Sequence, residues 1–176
     1  MKKLLIVVDM QKDFVDGALG TAEAVSIVAP AVKKIRDFDG DIIVTYDTHR
    51  ENYMDTREGK NLPVPHCIKG RDGWALNEEI QAAVDGKGYH AIEKPTFGST
   101  ELPEYIREHY DPDETEIELI GLCTDICVVS NALLIKANFP ETKVSVDAAC
   151  CAGVTPETHQ AALATMKMCQ INVQNG

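Results

Sequence analysis

Leu4-Leu5-Ile6-Val7-Val8 is an unbroken apolar run that stops at Asp9. A strand with one wet face alternates apolar and polar residues, and this run does not. It needs apolar cover on both sides, which is the position of a central strand in a parallel sheet. The rest of the chain supplies matching parts. Asp41 to Tyr46, Tyr89 to Glu93, Glu116 to Ile120, Lys143 to Val146 and Cys169 to Val173 read as further strands. Between them lie segments of helical period. In Ala22 to Phe38, Val25, Val28, Ala29, Val32 and Ile35 share a side while Lys33, Lys34 and Arg36 face water, with a helix start or kink expected at Pro30. Trp74 to Val84, Glu101 to Tyr110, Val128 to Phe139 and Pro156 to Met168 read as helices, the last with proline in its first turn. Met10 to Thr21 and Asp47 to Asp72 read as loops. Alternation of this kind predicts an α/β fold, a three-layer α/β/α arrangement around a mainly parallel, roughly six-stranded, doubly wound sheet. It also predicts a single domain over residues 1–176, with no repeat, linker or low-complexity tract.

Composition narrows the partners. A net charge of −11 argues against nucleic acid or an anionic membrane, because phosphate binding needs a basic footprint. Met1 to Met10 is too short and too acidic for a signal peptide, and no segment is long enough to span a bilayer. Six cysteines, at 67, 123, 127, 150, 151 and 169, come without an export signal, so a reducing cytoplasm is expected. Cys123 and Cys127 are four apart and make no CxxC pair.

Parallel sheets carry their chemistry just past the carboxyl ends of the strands. Here those ends deliver Asp9, Asp47-Thr48-His49, Lys94 and the turn Thr124 to Cys127. With Thr124 as N-cap, Cys127 falls in the first turn of a helix, where unpaired N–H groups and the helix dipole favour a thiolate. The same N–H groups suit an oxyanion. Asp9 can take and return a proton, and Lys94 can hold the charges together. Asp47 and His49 share one side of an extended segment, and His66 lies further on, in a stretch stiffened by Pro63 and Pro65. With Glu58 in the loop between as a fourth or water-mediated ligand, the set suits one divalent ion, zinc first, with iron or manganese as alternatives. Cys67 points away from that set if the segment is extended. His90 and His109 read as surface or sheet residues and His159 as an exposed helix residue, which leaves no cysteine–histidine pair.

Three of these motifs together resemble the isochorismatase-like cysteine hydrolases, and within them the nicotinamidases. Leu5-Ile6-Val7-Val8-Asp9-Met10-Gln11-Lys12-Asp13-Phe14 resembles the family's opening strand, Glu93-Lys94-Pro95-Thr96-Phe97-Gly98-Ser99 its lysine segment, and Gly121-Leu122-Cys123-Thr124-Asp125-Ile126-Cys127-Val128 its nucleophile turn. The resemblance implies a catalytic trio of Asp9, Lys94 and Cys127, a cis peptide at Leu122–Cys123 and an oxyanion hole from the N–H groups of Cys123 and Cys127. Members that act on isochorismate lack the cysteine, and relatives that cleave carbamoyl or ureido groups generally lack the metal set. Asp47, His49 and His66 match the nicotinamidase triad, Glu58 resembles an extra ligand of some members, and Phe14 and Phe97 match the aromatic walls. The sole tryptophan, Trp74, lies past the metal loop and departs from the extra pocket aromatic of many nicotinamidases. The activity that the resemblance implies is that of an amidase, converting nicotinamide to nicotinate and ammonia through a Cys127 thioester. Another small amide or carbamoyl compound is the alternative substrate, and a homo-oligomer the expected assembly.

Overall fold

The computed structural model describes residues 1–176. In chain order its elements are β1 (Lys2–Val8), α1 (Lys12–Val15), α2 (Ala22–Ser26), α3 (Val28–Asp37), β2 (Asp41–Asp47), α4 (Arg57–Asn61), α5 (Glu78–Asp85), β3 (His90–Lys94), α6 (Glu101–His109), β4 (Thr115–Leu122), α7 (Val129–Asn138), β5 (Val144–Ala152), α8 (Pro156–Met168) and β6 (Asn172–Gln174). All six strands are parallel, in the order β3-β2-β1-β4-β5-β6.

The apolar run of β1 is covered on both faces. Leu5 and Val7 pack in one cluster with Ala31, Val32 and Ile35 of α3 and Ile80 and Val84 of α5. Leu4, Ile6 and Val8 pack in a second with Leu102 and Ile106 of α6, Ala132 and Ile135 of α7, and Leu163 and Met166 of α8. Leu4 to Val8 are fully buried, and each such side chain contributes about 1.5–3 kcal/mol. The chain winds outward from β1 to β3 on one face, then crosses to the other face and winds outward again from β4 to β6. The reversal falls between β1 and β4, which opens a crevice at their carboxyl ends.

Gly121 makes that junction possible. Its φ is +121°, and a Cβ placed on it would sit 2.1 Å from the Val8 carbonyl oxygen. Gly121→Ala is therefore expected to cost about 3 kcal/mol or more, read as a lowered denaturation midpoint with an unchanged slope. Immediately beyond, the Leu122–Cys123 peptide is cis, at the position the resemblance implied.

Several boundaries differ from the sequence expectation. Ala22 to Phe38 is two helices, broken at Ile27, with Pro30 in the first turn of α3 where its missing N–H is harmless. Helix α5 starts only after Asn77, whose side chain accepts from the N–H groups of Glu79 and Ile80; Trp74 belongs to a separate single turn. Strand β5 runs on to Ala152 through residues too small to signal a strand, and its register against β4 slips between Leu119 and Gly121. Cys169 and Gln170 form a turn, so β6 begins at Asn172. The two loops hold α1 and α4, of four and five residues, too short to display a period.

Candidate active site

Four strand ends meet at the crevice. Asp9 comes directly after β1 with φ +47°, an uncommon backbone setting that aspartate tolerates better than most residues. Its Oδ1 accepts a hydrogen bond from Thr45 Oγ1 at 2.7 Å, and its Oδ2 lies 2.6 Å from Lys94 Nζ at the end of β3. That Oδ2 contact is an ion pair without hydrogen-bond alignment, so a lone pair remains open there. Lys94 Nζ donates to the Thr96 carbonyl at 3.0 Å, approaches Cys127 Sγ at 3.4 Å and lies 3.6 Å from Asp47 Oδ1. Asp9, Lys94 and Cys127 are all buried.

Electrostatics fix the resting protonation. Burial pushes the Asp9 carboxyl up, only partly offset by the Lys94 ammonium. Burial works against a charged Lys94, but Asp9, Cys127 and Asp47 hold it firmly protonated. Burial and the charge of Asp9 raise the Cys127 thiol well above its ordinary value. Burial and the neighbouring carboxylate thus work against the thiolate that the helix start favours, and Asp9 is placed to take the proton.

The nucleophile turn also differs from expectation at its cap. Cys123, with extended φ and ψ of −87° and 147°, occupies the N-cap position. Its carbonyl accepts from the N–H groups of Ile126 at 3.1 Å and Val128 at 3.0 Å, which opens one wide turn before α7. Thr124 does not cap. Its hydroxyl is 2.7 Å from His159 Nδ1, so His159 is half-buried against this turn and not on an exposed face. Burial there favours the neutral imidazole.

Asp47, His49, Glu58 and His66 each direct one ligand atom into a space where all four lie within 4.8 Å of one another. Asp47 Oδ2 is 3.0 Å from His49 Nε2 and 3.3 Å from His66 Nε2; Glu58 Oε1 is 3.6 and 3.7 Å from the same two nitrogens. His66 Nδ1 donates to the Val64 carbonyl at 2.8 Å, which fixes the ring with Nε2 facing the cluster. Burial disfavours a charged Asp47, yet hydrogen bonds from the two histidines and the nearby Lys94 hold its carboxyl well below the usual range. Two imidazoles and two carboxylates converging in this way fit a borderline divalent cation.

Sequence reasoning missed the side chains that hold these groups. Gln11, fully buried, donates to the carbonyls of Asp47 and Trp74 and accepts from the Asp47 N–H, each at 2.8 Å. Asp13 accepts from the N–H of Cys67 at 2.8 Å and so fixes the residue after His66. Cys67 is buried in the core and outside the cluster, although with φ +48° it is not in the extended backbone expected from the sequence. Asn131 binds three backbone groups around the nucleophile. Gln11 and Asp13 stand two and four residues after Asp9, and that proximity was the only signal available for them.

A cavity of about 50 Å³ joins the two clusters, lined by Phe14, Leu19, Leu62, Phe97, Ile126, Cys123, Cys127, Asp47, Glu58 and His66. Phe14 and Phe97 both line it, and three aliphatic side chains to which sequence reasoning gave no role, Leu19, Leu62 and Ile126, complete the walls. Trp74 is absent: its indole N–H donates to Thr48 Oγ1 and its ring packs on Tyr46. His90 and His109 are also remote, stacked on either side of Tyr105. A larger groove of about 640 Å³ lies elsewhere, lined mostly by charged and polar side chains such as Lys34, Glu118 and Asp147. Lys34 bridges both carboxylates there at 2.8 Å.

With this geometry in place, comparison with known proteins is direct. The isochorismatase domain family matches residues 3–175. The chain belongs to the isochorismatase family. A nicotinamidase/pyrazinamidase of Mycobacterium tuberculosis is 26% identical over 187 residues, covering 97% of each chain. The crystal structure of the nicotinamidase/pyrazinamidase PncA of Bacillus subtilis superimposes with a TM-score of 0.82 at 27% identity, over 99% of this chain and 100% of the other. The pyrazinamidase of Pyrococcus horikoshii in complex with zinc gives a TM-score of 0.78 at 27% identity, over 98% of both. No helix of this isochorismatase-family protein is long and apolar enough to cross a membrane.

Proposed function

We propose that this isochorismatase-family protein is a nicotinamidase, hydrolysing nicotinamide to nicotinate and ammonia. One observation carries the reading: a single ammonium, Lys94, touches both Asp9 and Cys127 Sγ beside a cavity that also opens on Asp47, His66 and Glu58. Moving a proton from Sγ to Asp9 shifts negative charge from carboxylate to sulfur, and the ammonium is within reach of both. The transfer therefore costs little electrostatically, although each group alone resists ionisation. The sulfur forms a bond to the amide carbon, and Asp9 returns the proton to nitrogen as the C–N bond breaks and ammonia leaves. Water, deprotonated by Asp9, then attacks the thioester; the C–S bond breaks, nicotinate leaves and the sulfur recovers its proton.

The N–H groups of Cys123 and Cys127 are the proposed oxyanion donors. In support, the Cys123 N–H makes no other backbone hydrogen bond. Asp47, His49, His66 and Glu58 would hold one divalent ion, which when bound supplies a Lewis-acid contact for a ring nitrogen. The zinc in the Pyrococcus horikoshii relative supports zinc here. Phe14, Phe97, Leu19, Leu62 and Ile126 bind the apolar faces and edge of the ring and keep water from it. We also place the enzyme in the cytoplasm, where a free thiol persists.

The test is a panel of nicotinamide and pyrazinamide against carbamoyl and ureido compounds without a ring, read by ammonia release; turnover confined to the second group would replace this reading. Metal removal by a chelator and His49→Ala are each expected to raise KM for nicotinamide at least about tenfold, with bound metal measured by elemental analysis. Unchanged KM in metal-depleted protein would remove the ion from substrate binding.

A further inference from the structure

The segment between β3 and α6, residues 95–100, carries Phe97, yet no backbone group in it makes a backbone–backbone hydrogen bond. Neither strand pairing nor an internal turn defines where it lies. Side chains fasten it instead. Lys94 Nζ holds the Thr96 carbonyl at 3.0 Å. Asn131, on α7 and fully buried, holds it at two points: its Oδ1 accepts from the Ser99 N–H at 2.8 Å, and its Nδ2 donates to the Phe97 carbonyl at 3.2 Å, while Ser99 Oγ accepts from the Leu102 N–H at 3.2 Å. The same Nδ2 donates to the Cys127 carbonyl at 2.8 Å. One amide group therefore uses its acceptor and both donors to join the segment bearing Phe97 to the residue bearing the sulfur. Phe97 is itself 44% exposed, so packing does not anchor the ring wall; its backbone must be held.

We propose that Asn131 is a positioning residue that sets ring recognition: it fixes the Phe97 wall at the distance from Cys127 Sγ at which a planar ring and its carboxamide both fit. The inference rests on the nicotinamidase reading. Asn131 touches neither substrate nor sulfur and acts through Phe97. A buried side chain with three hydrogen bonds is also structural, so the test has to separate placing the wall from holding the fold. Loss of Asn131 should affect a ring-bearing amide, which needs the wall and the sulfur in register. A small electrophile such as iodoacetamide, which needs only the sulfur, should be spared.

The experiment compares the wild type with Asn131→Leu, which keeps the volume, and Asn131→Ser, which keeps a small polar group and guards against a misfolded leucine variant. Each is made with and without Phe97→Ala. Nicotinamide kinetics and the rate of Cys127 alkylation by iodoacetamide are measured for all. In the Phe97 background, kcat/KM for nicotinamide should fall about 10- to 100-fold, mostly through KM, while alkylation stays within about twofold. In the Phe97→Ala background the same Asn131 changes should cost less than about threefold more, since the wall they position is gone. Additive losses in the double variants, or equal losses in hydrolysis and alkylation, would overturn the proposal. A wild type inert towards nicotinamide but active on another amide would remove the nicotinamidase reading and this inference with it; an active wild type with unaffected Asn131 variants removes the inference alone.

Discussion

Replacing Cys127 by alanine is expected to lower kcat/KM for nicotinamide by at least about 10⁴-fold while changing stability by only about 1 kcal/mol. The sulfur sits at the start of α7 with its carbonyl held by Asn131 and its thiol next to Lys94, so alanine removes one heavy atom from a site that other groups keep in shape. Nicotinamide binding should survive, because the rest of the cavity lining and the metal-binding set are untouched. Cys127→Ser is the sharper control. It restores a hydroxyl of nearly the same size, yet the hydroxyl is far less nucleophilic and should recover little of the rate. Near-normal turnover by either variant would end the assignment of the nucleophile.

Lys94→Met and Asp9→Asn should both abolish useful activity and yet differ in stability. Without the ammonium, the buried Asp9 carboxyl takes up a proton, a change its raised proton affinity already favours. Lys94→Met is therefore expected to cost about 1–3 kcal/mol, but it leaves Asp9 unable to act as base and lowers kcat/KM about 10³-fold or more. Asp9→Asn has no such escape. It leaves a fully buried ammonium with Asp47 Oδ1, at 3.6 Å, as its nearest remaining carboxylate, and breaking a buried pair in this way costs about 3–5 kcal/mol. Denaturation midpoints of the two proteins check the order. An asparagine variant as stable as the methionine one would show that the pair is not held as the geometry indicates.

The apolar run of β1 and the charged residues at the strand ends made the parallel sheet and its active rim legible, because a buried strand has no polar face and a strand end has a fixed place. Asp9, Lys94 and Cys127 converge for that reason, and so do Asp47, His49 and His66. What stayed hidden depends on contacts between segments far apart in sequence. Asn131 looks like an ordinary polar residue inside a helix, and Gln11 like a loop residue, until the carbonyls they serve are placed beside them. Thr124 has the composition of an N-cap, but the wide turn hands that position to Cys123 and gives the threonine to His159. The electrostatics of the thiol were hidden for a related reason: a helix start is visible in sequence, whereas the burial and the neighbouring carboxylate that oppose it are not. Leu19, Leu62 and Ile126 could not be assigned to the cavity, since aliphatic side chains look alike whether they line a cavity or a core.

The central claim is that Asp9 and Lys94 let Cys127 attack the amide and carry the acyl group. Rapid acid quenching of enzyme mixed with excess nicotinamide, then intact-mass measurement and peptide mapping, tests it directly. A nicotinoyl adduct confined to the peptide containing Cys127, formed as fast as ammonia appears and absent from Lys94→Met, is the expected result. Full turnover with no adduct on Cys127 at any quench time, or an adduct on another residue, would contradict the account.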